Sequence, residues 1–144
     1  MKLTFSHYLK QQLANLDDIY NPEYSFVLRI TDFYNLLCAI LDEDISPSER
    51  HMVNAALAYL VSPVDVIPED IYGARGYVDD IYVLSSVVKY LCQDHLTLVK
   101  GLWSGGDMDE TLNLCYSNSR GFLEKWNLKD KVLKYSGLSD LGVE

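Results

Sequence analysis

The sequence predicts an all-α fold, a compact bundle of five to seven helices around a central helical hairpin. Apolar residues recur three or four positions apart along most of the chain, which is the spacing of a buried helix face. Alternating runs of β-branched residues and Asn-Gly or Asp-Gly turns are absent, so no sheet is indicated. A chain of 144 residues, 49% of them hydrophobic, has the size of one domain with a core of its own.

Two helices are predicted in the first part of the chain. Leucine and tyrosine residues give Ser6–Tyr20 a single apolar stripe, which the following Asn-Pro pair interrupts. The segment from Glu23 to about Leu41 is apolar over more than half of its circumference, as expected for a helix that packs on two sides. We therefore expect Glu23–Leu41 to be the most buried helix of the bundle.

The third helix is predicted to begin at a capping box with the sequence SPSE. The Ser46 side chain can accept a hydrogen bond from the Glu49 amide, and the Glu49 side chain can accept one from the Ser46 amide. The proline between them suits the first helical position. Pro63 cannot continue a helix, so this helix should end near Val61.

A fourth helix is predicted after the loop that follows Val61. Asp79 or Asp80 can cap its first turn, and it should end before the glycines at 101–106. We expect Ser46–Val61 to pack antiparallel against Asp79–Leu91, because an apolar helical hairpin must bury its facing stripes.

The whole chain, 1–144, is predicted to form one helical domain. Its core should span about residues 46–100, and a C-terminal helical extension should span about residues 107–137. Asp107 or Asp109 can start that extension.

The charge of the chain disfavours some classes of partner, and its cysteines argue against disulfides and zinc. The net charge is −9, from 12 basic and 21 acidic residues, which disfavours nucleic acid and anionic membrane surfaces as partners. Cys38, Cys92 and Cys115 are odd in number and lack CxxC spacing, so reduced thiols are expected rather than disulfides or a zinc site. No secretory signal is apparent, and the uncharged apolar runs fall short of the ~20 residues that cross a bilayer. We expect a cytoplasmic protein.

The most unusual segment is the acidic loop between the third and fourth helices. Tyr59–Asp80, with the sequence YLVSPVDVIPEDIYGARGYVDD, carries five carboxylates and one basic residue. Its prolines restrict the backbone and its glycines permit tight turns, so a defined loop shape is expected. The carboxylates belong to Asp65, Glu69, Asp70, Asp79 and Asp80, and the basic residue is Arg75.

This segment resembles the YkvA-like family, a mostly bacterial domain of unknown function. The resemblance rests on SPVDVIPE at 62–69 and GYVDD at 76–80, which match the family pattern in order and spacing. It extends over about residues 51–91 and implies an all-helical fold, but it supplies no established activity. The chain departs from the pattern at 70–75, DIYGAR, which adds a carboxylate and an arginine.

We interpret the loop as a contact surface for a protein partner, because charge and aromatic residues are present without a complete catalytic set. Tyr72 and Tyr77 are expected to be partly exposed. No catalytic residue and no resident cofactor are assigned. The predicted binding residues are Asp65, Glu69, Asp70, Tyr72, Arg75, Tyr77, Asp79 and Asp80.

Three other interpretations of the loop stay open. In a metal-dependent hydrolase, Asp65, Asp79 and Asp80 would bind Mg²⁺ or Mn²⁺, which could activate water for phosphoester hydrolysis. In a purely structural loop, the same aspartates would cap helices or bind turn amides, and the remaining carboxylates would be solvated. The family resemblance alone suggests a peripheral membrane module, against which the acidity of the chain argues.

Overall fold

The computed structural model describes residues 4–16, 21–61 and 73–143. Within these ranges the chain forms six α-helices and three short 3₁₀ helices, without a strand, and the all-α prediction is confirmed. The α-helices are α1 Phe5–Ala14, α2 Ile30–Ile40, α3 Pro47–Val61, α4 Val78–Leu102, α5 Met108–Lys125 and α6 Lys129–Tyr135. The 3₁₀ helices are Ser25–Arg29, Gly73–Tyr77 and Ser139–Leu141.

The central helix of the bundle is α4. Every residue from Val78 to Val88 is buried, so its first three turns are covered on all sides, and α2, α3 and α5 pack around it. The expectation that Glu23–Leu41 would be the most buried helix is wrong. That segment alternates buried and half-exposed residues, because it packs at the side of α4 rather than inside a ring of neighbours.

Two predicted helix boundaries differ from the structure. The segment 23–41 forms the 3₁₀ helix Ser25–Arg29 followed by α2, rather than one continuous helix. The N-cap residue of α4 is Tyr77, which makes no capping hydrogen bond through its side chain, so Asp79 and Asp80 lie in the first turn instead of capping it. The helix α4 also continues through Gly101.

Two other helix starts follow the sequence signals. At α3 the Ser46 amide donates to Glu49 Oε1 at 2.9 Å, and the Glu49 amide donates to Ser46 Oγ at 3.1 Å. At α5 the Asp107 carboxylate accepts a hydrogen bond from the Glu110 amide at 3.0 Å. Both caps are therefore formed as predicted.

The helices α3 and α4 form the predicted antiparallel hairpin. At the loop end, the Tyr59 hydroxyl donates to Asp79 Oδ2 at 2.5 Å. At the opposite end, His95 Nε2 lies 2.7 Å from Glu49 Oε2. The last turn of α3 thus contacts the first turn of α4, and the first turn of α3 contacts a residue late in α4. His95 has non-helical dihedral angles, φ −129° and ψ 33°, and marks a kink in α4.

Arg29 connects the N-terminal part of the chain to the turn between α4 and α5. Its guanidinium donates to the Gly105 carbonyl, pairs with Asp32 at 3.1 Å and lies 6.0 Å from the Trp103 ring centroid. A Cβ atom at Gly105 would approach Trp103 to 2.6 Å. Only glycine fits this position without displacing the ring.

Candidate functional site

The structure describes part of the predicted binding site. The residues Asp65, Glu69, Asp70 and Tyr72 and the side chain of Arg75 lie outside the described residues. Tyr77, Asp79 and Asp80 are described, and they form the junction between the loop and α4.

Asp79 and Asp80 are fully buried, each with 0% of its surface exposed. A carboxyl group in such a position is costly unless hydrogen bonds replace its contacts with water. Tyr59, which is itself buried, supplies one of these hydrogen bonds to Asp79. Both carboxyl groups are enclosed in this structure, and the hydrogen bond from Tyr59 ties Asp79 to α3.

The 3₁₀ helix Gly73–Tyr77, which precedes α4, is also packed against the core. Ala74 and Gly76 are buried, and the 3₁₀ helix packs against α4 and against Ser25–Arg29. Tyr77 is partly exposed, as predicted. The chain therefore leaves the loop through a packed turn that ends with one accessible aromatic side chain.

A second aromatic residue packs against the loop end from the C-terminal part of the chain. The ring of Tyr135, at the end of α6, meets Tyr59 edge to face, with centroids 6.1 Å apart and an interplanar angle of 80°. Such pairs contribute about 0.5–1.5 kcal/mol beyond their buried area. The hydroxyl that binds Asp79 is thus carried by a ring that two helices position.

The far end of the hairpin has a different electrostatic environment. The Ser46 amide, and after it the side chains of Ser46 and His95, stabilise the ionised form of Glu49 and hold its pKa below the ordinary value of 4.5. The side chains of His95 and Glu49 keep 27% and 16% exposure. This tie between α3 and α4 is therefore partly open to solvent.

The three cysteines give no sign of a reactive site. All are free thiols, and only Cys115 is completely buried. Burial raises the pKa of the Cys115 thiol to about 12 and also raises that of Cys92. Both remain protonated at neutral pH, which makes them poor nucleophiles and metal ligands.

The metal interpretation receives no support from the described ranges. Among residues 4–16, 21–61 and 73–143, no three His, Cys, Asp or Glu side chains come together to hold an ion. One of its three predicted ligands, Asp65, lies outside these ranges. A metal bound by the loop therefore stays a prediction. No helix in the same part of the chain has the length and apolar character to cross a bilayer.

Sequence reasoning missed two features. One is the burial of Asp79 and Asp80, which the uncharged run Ile81–Val88 after them indicates. A helix without charge on any face is covered on all sides. The other is a cleft lined by Lys89, Arg120 and Lys129. No sequence pattern indicates it, because these residues are far apart in the chain.

Comparison with known proteins identifies the family. A family model described as a protein of unknown function, DUF1232, matches residues 50–85, which include most of α3, the acidic loop and the first turns of α4. The uncharacterized protein ORF9 of Methanothermobacter thermautotrophicus is 34% identical over 110 residues, covering 74% of each chain. The chain belongs to the same uncharacterized family as this archaeal protein, and its own residues 50–85 match the DUF1232 model.

A shorter segment is similar to part of an enzyme. The E3 ubiquitin-protein ligase RNF170 of Xenopus laevis is 50% identical over 36 residues, which cover 25% of this chain and 14% of the ligase. The protein of the same name from Danio rerio is 46% identical over 39 residues, covering 27% and 15%. No solved structure gives a significant match.

Proposed function

We propose that this protein is a small cytoplasmic helical module that works by binding another protein, in an interaction or regulatory role. Its contact surface would be the acidic loop with Tyr72, Arg75 and Tyr77. Within DUF1232 we place it with the YkvA-like proteins, on the residues 62–69 and 76–80 that carry that resemblance.

The observation that carries the proposal is the support of the loop end by buried groups. Asp79 and Asp80 are buried, Tyr59 binds Asp79, and Ala74 is fully enclosed, so the chain returns from the loop at a fixed place. A segment with anchored ends loses less conformational freedom when a partner binds it. The buried pair would then present the loop, and the loop would make the contact.

The similarity of a short stretch of this chain to part of a ligase supports a binding module. A stretch of 36 residues with 50% identity occurs in a ligase of which it forms only 14%. A stretch this short within a much longer protein is better suited to presenting a surface than to forming a complete active site. That argument does not transfer the activity of the ligase to this chain.

The charge of the loop indicates the kind of partner. Three loop carboxylates, those of Asp65, Glu69 and Asp70, precede the buried pair in the sequence. Opposite charge accelerates association and favours correct partners over wrong ones. We therefore propose a partner with a basic contact surface and a binding rate that falls as salt concentration rises.

The test removes these three charges and compares the result with a matched control. The loop variant is Asp65→Asn, Glu69→Gln, Asp70→Asn. The control variant is Asp42→Asn, Glu43→Gln, Asp44→Asn, which removes the same charge at the surface turn after α2. Quantitative affinity capture with each full-length protein selects candidate partners, and titration calorimetry with the purified candidate measures its affinity.

We expect the loop variant to lose the partner and the control variant to retain it. Equal affinity of the purified partner for wild type, loop variant and control would reject the acidic loop as the contact surface. The control variant should keep the melting temperature of the wild type within a few degrees, since surface charges of this kind contribute about 0.5 kcal/mol or less.

A further inference from the structure

A cleft of about 460 Å³ lies beside α4, where α5, the start of α6 and the C-terminal residues approach it. It begins near Ser86, about 10 Å along the helix axis from Asp79. Its volume falls within the range of roughly 300–1,000 Å³ that is usual for small-molecule sites. None of the described residues of the acidic loop lines it.

The charge of this cleft is opposite to that of the whole chain. Lys89, Arg120 and Lys129 line it, and no acidic side chain does so among the described residues. The chain has only 12 basic residues against 21 acidic ones, yet three of the 12 meet at one cavity. Like charges repel, so such a cluster is favourable when an anion can occupy the space between them.

One aromatic ring organises two of the cations. Lys89 Nζ lies 4.0 Å from the ring centroid of Tyr116, and the Arg120 guanidinium lies 5.9 Å from it. Arg120 Nη1 also donates to the Tyr116 hydroxyl at 3.2 Å. The buried ring of Tyr82 stacks with Tyr116, with centroids 5.9 Å apart, and so fixes it from the core side. The cations are therefore positioned before any ligand arrives.

Among the described residues, one carboxylate, that of Glu124, contacts two of the cations that line the cleft. Glu124 accepts a hydrogen bond from Arg120 Nε at 2.8 Å and lies 3.9 Å from Lys129 Nζ. This exposed carboxylate orients the two cations and offsets one of the three positive charges. In the part of the chain that the structure describes, two positive charges remain at the cleft, which matches a dianion.

We infer that this cleft binds a small organic phosphate monoester. A phosphate monoester carries about −1.5 to −2 charges at neutral pH and three acceptor oxygens, which Lys and Arg side chains bind well. A water molecule occupies about 30 Å³ of liquid volume, so the cavity has the volume of many water molecules. It therefore has room for an organic group in addition to a phosphate group. The ring of Tyr90, which also lines the cleft, would contact the organic part.

The test uses inorganic phosphate and phenyl phosphate as probes on the full-length, isotope-labelled protein, with sodium chloride holding the ionic strength constant. We expect saturable shifts of the amide resonances of Gln93, Gly142 and Val143, and tighter binding of phenyl phosphate. The variant Lys89→Gln, Lys129→Gln should weaken both probes by roughly tenfold or more. The control Lys10→Gln, Lys125→Gln removes two exposed lysines elsewhere and should bind like the wild type.

A lipid headgroup carries the same phosphate chemistry, so a second arm separates the two sources. Flotation compares phosphatidylcholine vesicles with and without phosphatidic acid. If the wild type floats only with vesicles that contain phosphatidic acid, and the variant Lys89→Gln, Lys129→Gln does not float, the ligand is a lipid headgroup. If the protein binds the soluble probes but does not float, the ligand is a free phosphate compound. Absence of saturable binding in both arms, shifts outside the cleft, or equal binding by the cleft variant and the wild type would overturn the inference.

Discussion

The two ends of the α3–α4 hairpin are both tied by a carboxylate, but in opposite environments. At the loop end, Asp79 is fully buried and accepts a hydrogen bond from the buried Tyr59. At the far end, the Glu49 carboxylate keeps 16% exposure, completes a capping box and lies 2.7 Å from His95. The same chemical group therefore makes an internal connection at one end and a surface connection at the other.

The difference shows that the contribution of each carboxylate to stability depends more on its burial than on the number of its contacts. A surface carboxylate that loses its partner regains water, whereas a buried hydroxyl that loses its acceptor has no water to replace it. The loop end should therefore be the stability-determining end of the hairpin, and the far end the one that responds to pH. Four measurements test this comparison.

The largest effect is expected for Asp79→Ala. The substitution removes the acceptor of the buried Tyr59 hydroxyl and leaves a small cavity, so the free energy of unfolding should fall by about 2–3 kcal/mol in urea titration. The control Asp79→Asn keeps an acceptor oxygen in the same place and should cost less. An unfolding free energy equal to that of the wild type would show that the buried end does not hold the hairpin.

A smaller loss is expected for Glu49→Ala. This change removes the reciprocal half of the capping box and the contact with His95, and should cost about 1 kcal/mol in the same titration. The control Asp44→Ala removes an exposed carboxylate just before the cap and should be nearly neutral. A loss greater than that of Asp79→Ala would reverse the comparison between the two ends.

The pH dependence of stability should separate the two ends further. The folded-state pKa of Glu49 is lowered, so its carboxylate stabilises the fold above 4.5 and that contribution is lost as pH falls through the folded-state pKa. The stability difference between wild type and Glu49→Gln should therefore be largest near neutral pH and shrink in acid. A difference that stayed constant in denaturant titrations from neutral to acidic pH would contradict this assignment.

The smallest effect is expected from divalent cations. If the loop carboxylates bound Mg²⁺ or Mn²⁺, the ion would stabilise the folded state and raise the melting temperature. At an ion concentration of a hundred times the dissociation constant, the gain in the free energy of unfolding would be about 2.7 kcal/mol. We expect little or no shift. A concentration-dependent rise that Asp65→Asn and Asp80→Asn abolish, and Glu43→Gln does not, would instead favour the metal-dependent hydrolase.

Local signals in the sequence predicted much of the fold. The capping box at Ser46 and Glu49 and the cap at Asp107 were correct, because a cap depends on residues only three positions apart. The division of 23–41 into a 3₁₀ helix and α2 was missed, since periodic apolar spacing does not distinguish a tight turn from a full helix over a few residues.

The candidate site was harder to predict because its environment is set by distant residues. The uncharged run Ile81–Val88 indicates a helix that is covered on all sides, but no spacing in the sequence identifies Tyr59 as the hydrogen-bond partner of Asp79. The cleft at Lys89 and Arg120 depends on how α4 and α5 pack. Burial and convergence of side chains are tertiary properties, which spacing along one chain does not contain.

The bond between Tyr59 and Asp79 also bears on the order in which the protein folds. It joins residues 20 positions apart, whereas the contact of Arg29 with Gly105 spans 76 positions. Closing the shorter loop costs about 1 kcal/mol less chain entropy. The helical hairpin can therefore close first and offer a formed surface on which the N-terminal helices and α5 assemble, so the family segment 50–85 coincides with the part of the chain best placed to nucleate folding.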